Sequence, residues 1–368
     1  MSKGLTDQIA YDALQNFFHN KPFVLFGAGL SIAVDSDFGM AKLKEVLCEE
    51  IPKKNLNNIQ ETEWNKVAEF LKKDLNLEAA LDEVRDEDLI RLVVMVTYEK
   101  LRELNQKYYW EILSGKTTWP ALPLFKRLVD GLPETDRVLH VATSNYDLLA
   151  EAAFEKEKLP YSTGFYGGVC RRLDWEHAVQ SMTYTDQVNK PRSKKIEKVT
   201  KLKKHIRLYK VHGSLNTFMY NNEMVENNYW ISECPPGIER VMITPGSGKY
   251  RRLHDYRQAL LSEYDKTIEK HNAFLFIGFG FNDNQLINRL FINKLINKKC
   301  PALILTRGSN KIMKELLSKN ENLWLVCKNP DGDDESTMIC NSRYDLPLCL
   351  DGKKLWDTGK FAAEILGG

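Results

Sequence analysis

Residues 22–31 read Pro22-Phe23-Val24-Leu25-Phe26-Gly27-Ala28-Gly29-Leu30-Ser31. A short apolar run closed by a glycine turn is the pattern of a strand buried on both faces of a parallel sheet. The two glycines let the chain turn sharply and bring its backbone close to a ligand. A helix starting near Ser31 then aims N–H groups at an anion. Similar runs recur at Val138–Thr143, Ala273–Gly278 and Ala302–Thr306, with a shorter one at Leu208–Val211. Amphipathic helical stretches lie between them. Strands alternating with helices predict an α/β protein with a doubly wound, mostly parallel, Rossmann-like sheet.

The first two strands stand about 110 residues apart, far more than a crossover helix needs. Within that interval Trp64, Val67, Phe70, Leu71 and Leu75 recur at helical spacing, as do Leu89, Leu92, Val93 and Val96. An inserted helical subdomain over about residues 40–135 is the expectation. A polar insertion occupies about residues 156–207. From Lys190 to Arg207 it holds nine Lys or Arg and one acidic residue, Glu197. Such a run can track phosphates, but no aromatics interleave with the charges, so a solvated loop is the first reading. Residues 1–320 thus form one domain. Residues 321–368 form a C-terminal extension, with an acidic turn (Asp331, Asp333, Asp334, Glu335) and short apolar pieces suited to an edge hairpin or an assembly arm.

The chain has 368 residues, 43% of them hydrophobic, and a formal net charge of only +2. Nothing in that balance demands nucleic acid, and no apolar run approaches the roughly 20 residues that span a bilayer. The start, Met1-Ser2-Lys3-Gly4-Leu5-Thr6-Asp7, is not followed by an apolar secretion segment. The seven cysteines are scattered and form no C-x-x-C pair, which speaks against a disulfide framework or a zinc knuckle and for reduced thiols in the cytoplasm.

Four short motifs carry the chemistry. The turn Gly27-Ala28-Gly29-Leu30-Ser31 suits a pyrophosphate. It is not the dehydrogenase G-x-G-x-x-G, because position 32 is Ile, and no acidic residue closes an evident second strand about 20 residues on, so hydride transfer is disfavoured. Thr143-Ser144-Asn145-Tyr146-Asp147 ends a strand, where ligands of doubly wound sheets collect. Asn145 offers a donor and an acceptor; Asp147 is either a helix cap or a ligand contact. Lys210-Val211-His212-Gly213 puts a histidine, which titrates near neutrality, at another strand end. Phe276-Ile277-Gly278-Phe279-Gly280-Phe281-Asn282-Asp283 is a further strand and glycine turn. There Asn282 or Asp283 is expected to cap a helix with the stripe Ile287, Leu290, Phe291, Leu295. Gly246-Ser247-Gly248-Lys249 is not a phosphate-binding P-loop, since Tyr250 follows the lysine and Ile243 stands where the leading glycine belongs. Ser214 has no G-x-S-x-G elbow around it.

The four motifs, taken in this order, resemble the sirtuin-like superfamily over roughly residues 20–310. The wording T-S-N-Y-D-L-L and G-F-G-F-N-D looks like its bacterial antiphage branch. That resemblance implies NAD as substrate, with Gly27, Ala28, Gly29 and Ser31 along its phosphates. Asn145 would orient the nicotinamide ribose or the attacking water, Asp147 would support that loop, and His212 would be the general base or ribose-hydroxyl partner. Gly278 and Gly280 would border the adenosine half, and Thr306 and Arg307 would touch the adenine ribose. The four-cysteine zinc module and the A-x-P-x-F-R segment of the deacylases are missing; Asp35-Ser36-Asp37-Phe38-Gly39-Met40 stands in place of the latter, and no metal is implied. The expected activity is therefore NAD glycohydrolysis, giving nicotinamide and ADP-ribose and depleting NAD in infected bacteria. NAD-dependent protein deacylation and a non-catalytic NAD or ADP-ribose sensor are the alternatives. The resemblance further implies a homo-oligomer, docked on a HerA-type hexameric ATPase.

Overall fold

The computed structural model describes residues 4–73, 77–81, 84–190, 195–242, 248–283 and 286–367. Strands are numbered along the chain. The main sheet holds β1 (Phe23–Phe26), β2 (Val138–Thr143), β3 (Tyr161–Ser162), β8 (His205–Lys210), β12 (Phe274–Ile277), β13 (Ala302–Leu305), β14 (Leu323–Lys328), β15 (Thr337–Cys340) and β16 (Leu348–Leu350). A second sheet holds β4 (Phe165–Gly167), β5 (Arg171–Leu173), β9 (Gly213–Tyr220), β10 (Glu223–Glu226) and β11 (Glu239–Met242); β6 (Thr183–Lys190) and β7 (Lys195–Leu202) form a ribbon.

The main sheet runs β16-β15-β14-β13-β12-β1-β2-β8-β3. It is parallel from β14 to β3; β15 and β16 close one edge antiparallel. This is the doubly wound α/β fold that the apolar runs predict. Each central strand is apolar on both faces because both faces are covered. In β1, Val24 and Phe26 enter one core with Leu275 and Ile277 of β12, while Phe23 and Leu25 enter the other with Phe274 and Phe276. The first core is roofed by residues such as Leu14, Trp119, Phe125 and Phe154, the second by Leu261, Tyr264, Ile268 and Phe291. A buried Phe or Leu of this kind contributes about 1.5–3 kcal/mol.

The interval between β1 and β2 is helical, as its periodicity predicts. Trp64, Val67 and Leu71 of the helix Asn58–Lys72 pack on Leu43, Leu47, Leu89, Val93 and Val96 in a separate small core. Leu75 lies outside the described residues. Asn57 starts the helix Asn58–Lys72 with a full capping box to Gln60. The helix Glu87–Ser114 is capped by Asp86, ends at a left-handed Gly115, and bridges the two regions: its first half joins the small core, while Leu104, Tyr108 and Ile112 join the sheet. Among the described residues no helix is long and apolar enough to cross a membrane.

One local expectation is corrected. The basic stretch read as a solvated loop contains a ladder, β6 on β7, paired from Thr183↔Leu202 to Lys190↔Lys195. Only residues 191–194 of it lie outside the described residues, and so do residues 243–247, which include Gly246 and Ser247 of the glycine-rich stretch weighed above. After Asn320, β14 extends the parallel sheet, β15 and β16 form the edge hairpin, and the helix Thr358–Ile365 buries Phe361 and Ile365 in the first core.

Candidate functional site

Winding reverses between β1 and β12: the chain runs from β1 to β2 on one side and reaches β12 on the other. Ligands of such sheets bind in the crevice outside the strand ends at that reversal. The turns leaving β1 and β12 meet there. Gly29 donates its N–H to the Gly278 carbonyl at 3.0 Å, and Gly27 donates to Ile277 at 3.1 Å. A Cβ on Gly29 would sit 2.7 Å from the Gly278 Cα and carbonyl oxygen, and Gly278 itself has φ +53°. The glycines are thus required by the approach of two backbones, and the Gly29 N–H expected to face an anion holds the turns together. Gly29→Ala should destabilise the fold by about 1–3 kcal/mol, since neither backbone can give way. Urea melts would detect this, and calorimetry with ADP-ribose should register weaker binding.

The β2 turn is tied to the β1 turn by a buried chain of hydrogen bonds. Asn145 Nδ2 donates to the Gly27 carbonyl (3.1 Å) and to Ser31 Oγ (3.0 Å). Ser31 Oγ donates to Asp147 Oδ2 (2.7 Å). Asp147 Oδ1 accepts from the Leu149 N–H at 3.2 Å, so this carboxylate serves the helix start and the site together. Two consequences follow from counting protons. The Ser31 hydroxyl proton is committed to Asp147, so Ser31 is not the phosphate donor the sequence suggested. Both Asn145 amide protons are committed too, which leaves its Oδ1, an acceptor and the negative end of a dipole, for a ligand.

Behind this loop, Lys210 Nζ at the end of β8 donates to the Asp147 carbonyl (2.6 Å) and pairs with Glu151 (2.9 Å), both side chains buried. Glu226 lies beside this pair, bonded to Thr163 and 3.1 Å from Arg171. Burial pushes its carboxyl up to about 7, opposed by Arg171. A carboxyl raised on folding binds its proton more tightly in the native state, so the stability it contributes is lost as pH rises through about 7. Raising the pH from 5 to 8 should therefore cost the wild type about 2 kcal/mol relative to Glu226→Gln, whose amide does not titrate. Parallel urea-melt stabilities for the two proteins would contradict this.

His212 follows β8. Gly213 has φ +71°, and a Cβ there would lie 2.0 Å from the Val241 carbonyl oxygen, so the tight H-G step is dictated by β11. His212 Nε2 contacts the Asp283 carboxylate, while Nδ1 is buried with no hydrogen-bond partner among the described residues. Asn282 or Asp283 was expected to cap a helix carrying Ile287, Leu290, Phe291 and Leu295. The α-helix instead begins at Arg289 behind Asn288, and Asp283 accepts the Leu286 N–H on Oδ1 while its other oxygen meets the histidine. Ile287, Phe291 and Leu295 are nonetheless buried, as their spacing predicts.

Two cavities flank the joined glycine turns. The first, of ≈ 310 Å³, brings together Gly27, Ala28, Ser31, Asn145, Asp147, His212 and Gly280. Its outer wall comes from the helical insertion, through Phe38, Met40, Leu43, Leu77 and Leu101, with Lys100 paired to Asp37 at 3.1 Å. The second, of ≈ 610 Å³, is lined by Ala28, Gly29, Gly278, Gly280, Thr306 and Arg307, and by Lys354 and Trp356 from the C-terminal segment. Ala28, Phe279, Gly280 and Asn282 line both. Sequence reasoning missed Asp283 as the histidine's partner, the Lys100–Asp37 pair, and Trp356. Asp283 had a visible signal, a carboxylate directly after a strand-end glycine turn; the other two had none. Among the described residues no three of His, Cys, Asp and Glu gather as cation ligands would.

A family model described as a SIR2-like domain matches residues 139–333, which takes in Asn145, Asp147, His212, Asp283 and Thr306. No curated protein matches the chain.

Proposed function

This chain belongs to the SIR2-like domain family, whose members are NAD-dependent enzymes, and on that premise we propose that it is an NAD glycohydrolase. The dinucleotide lies across the glycine turns. Its nicotinamide ribose sits in the first cavity and its adenosine in the second. One observation carries the reading: within one cavity stand an Asn145 whose oxygen alone remains for a ligand and a His212 whose Nδ1 has no partner among the described residues.

The chemistry follows from those two groups. Breaking the C1′–N bond sends its electron pair to nicotinamide and leaves a ribose with oxocarbenium character. The Asn145 Oδ1 dipole, fixed by Gly27 and Ser31, faces that positive charge and needs no reorganisation as it develops. With Nε2–H directed at Asp283, the basic lone pair of His212 is on Nδ1. It accepts the proton of a water whose oxygen forms the new bond to C1′. The products are nicotinamide, ADP-ribose and one proton. The apolar wall from the helical insertion narrows the nicotinamide end, which suits water as the acceptor.

The same proposal extends to biology. The wording of the second and fourth motifs supports a role in antiphage defence, in which cytoplasmic NAD is depleted, by a homo-oligomer docked on a HerA-type hexameric ATPase. Incubation with NAD, with and without an acyl-lysine peptide, separates the activities. Nicotinamide and ADP-ribose should appear at equal rates in both. Release that needs the peptide and yields acyl-ADP-ribose would make the protein a deacylase.

A further inference from the structure

Two cationic side chains, Arg307 and Lys354, line the second cavity. In dinucleotide sites of doubly wound sheets, the residue ending the strand beside the glycine turn reads the adenine ribose. A carboxylate selects the 2′-hydroxyl, and an arginine accommodates a 2′-phosphate. Here the strand beside β12 is β13, and it ends in Thr306-Arg307-Gly308. The Thr306 hydroxyl is turned to the Gly308 carbonyl. Across the cavity, Trp356 has the Arg307 guanidinium 5.6 Å from its ring centroid and the Lys354 ammonium 4.9 Å from it. The one carboxylate among the lining residues, Asp357, lies at the start of the helix Thr358–Ile365, where its Oδ1 accepts from the N–H groups of Gly359 and Lys360.

Both cations have acidic neighbours in the turn before β15. Arg307 lies 3.3 Å from Asp334 and Lys354 lies 3.4 Å from Glu335, and both carboxylates are exposed. Exposed pairs of this kind are worth about 0–1 kcal/mol, so a phosphate displaces them readily. A guanidinium also binds phosphate through two parallel hydrogen bonds that an exposed single contact does not match.

We infer that the second cavity accepts a dinucleotide phosphorylated on the adenine ribose, with Arg307 and Lys354 holding the 2′-phosphate against Trp356, so that the substrate class includes NADP. The inference rests on the NAD reading above and adds the C-terminal segment to the substrate site. Both side chains reach solvent, so their replacement leaves the fold intact.

The test is calorimetric titration of the full chain with ADP-ribose and with its 2′-phosphate, for wild type and for Arg307→Gln/Lys354→Gln. Binding is read without turnover. The wild type should bind the phosphorylated ligand at least as tightly as ADP-ribose. The double variant should weaken the phosphorylated ligand about tenfold or more beyond whatever it does to ADP-ribose. If ADP-ribose binds and its 2′-phosphate binds about tenfold more weakly, or if the variant weakens both ligands equally, this inference is wrong and the NAD reading stands. If folded wild type binds neither, the NAD reading fails and this inference with it.

Discussion

Asn145→Ala should lower the rate of nicotinamide release from NAD by about 10²–10³-fold, the usual loss when one fixed dipole is removed from a developing charge. The loss should fall on kcat, with KM changed little, because the dipole acts on charge that exists only in the transition state. The substitution also strips partners from the Gly27 carbonyl and from Ser31, so some stability is lost, about 1–3 kcal/mol. Asn145→Asp separates the two effects. It keeps the side chain's size but has no amide protons, so it should lose the ties to Gly27 and Ser31 while keeping an acceptor oxygen toward the ligand. Normal turnover by a folded Asn145→Ala protein would remove this residue from the chemistry.

Asp283→Asn should cost about 10²–10⁴ in kcat. The carboxylate accepts from His212 Nε2 and so sets which nitrogen carries the proton. An amide that presents its NH₂ to Nε2 reverses that assignment, places the proton on Nδ1 and leaves no base for water. The geometry of the turn should persist, because the Asn oxygen still accepts from the Leu286 N–H. Steady-state kinetics with thermal melting checks this: a large fall in kcat at an unchanged melting temperature is expected. A loss confined to KM would mean that Asp283 contacts substrate rather than the histidine.

Four of the main strands were legible because burial on both faces erases polar alternation. Phe23–Phe26, Val138–Thr143, Phe274–Ile277 and Ala302–Leu305 each read as apolar runs with no other explanation. The ribbon from Thr183 to Leu202 gave no such signal. Its strands read Thr-Tyr-Thr-Asp-Gln-Val-Asn-Lys and Lys-Ile-Glu-Lys-Val-Thr-Lys-Leu, polar on both faces, and are held by pairing with each other. Leu323–Lys328 was visible as an apolar piece, but its place beside β13 is set by a crossover that periodicity does not encode.

The site was legible as strand ends rather than as contacts. Asn145, His212 and the glycine turns stood out because they follow buried strands. Their partners did not, since Ser31 reaches Asp147 across 116 residues and His212 reaches Asp283 across 71. Gly29 was recognised as a turn residue for a ligand's sake, whereas its tightest neighbour is Gly278. Local sequence identifies where the backbone must turn; only the closed sheet reveals what it turns against.

The most direct test is a chromatographic time course of NAD incubated with the purified chain and no other substrate. The account predicts nicotinamide and ADP-ribose in equal amounts from wild type, and neither above background from Asn145→Ala. Intact NAD throughout, from a folded protein that binds ADP-ribose, would contradict it.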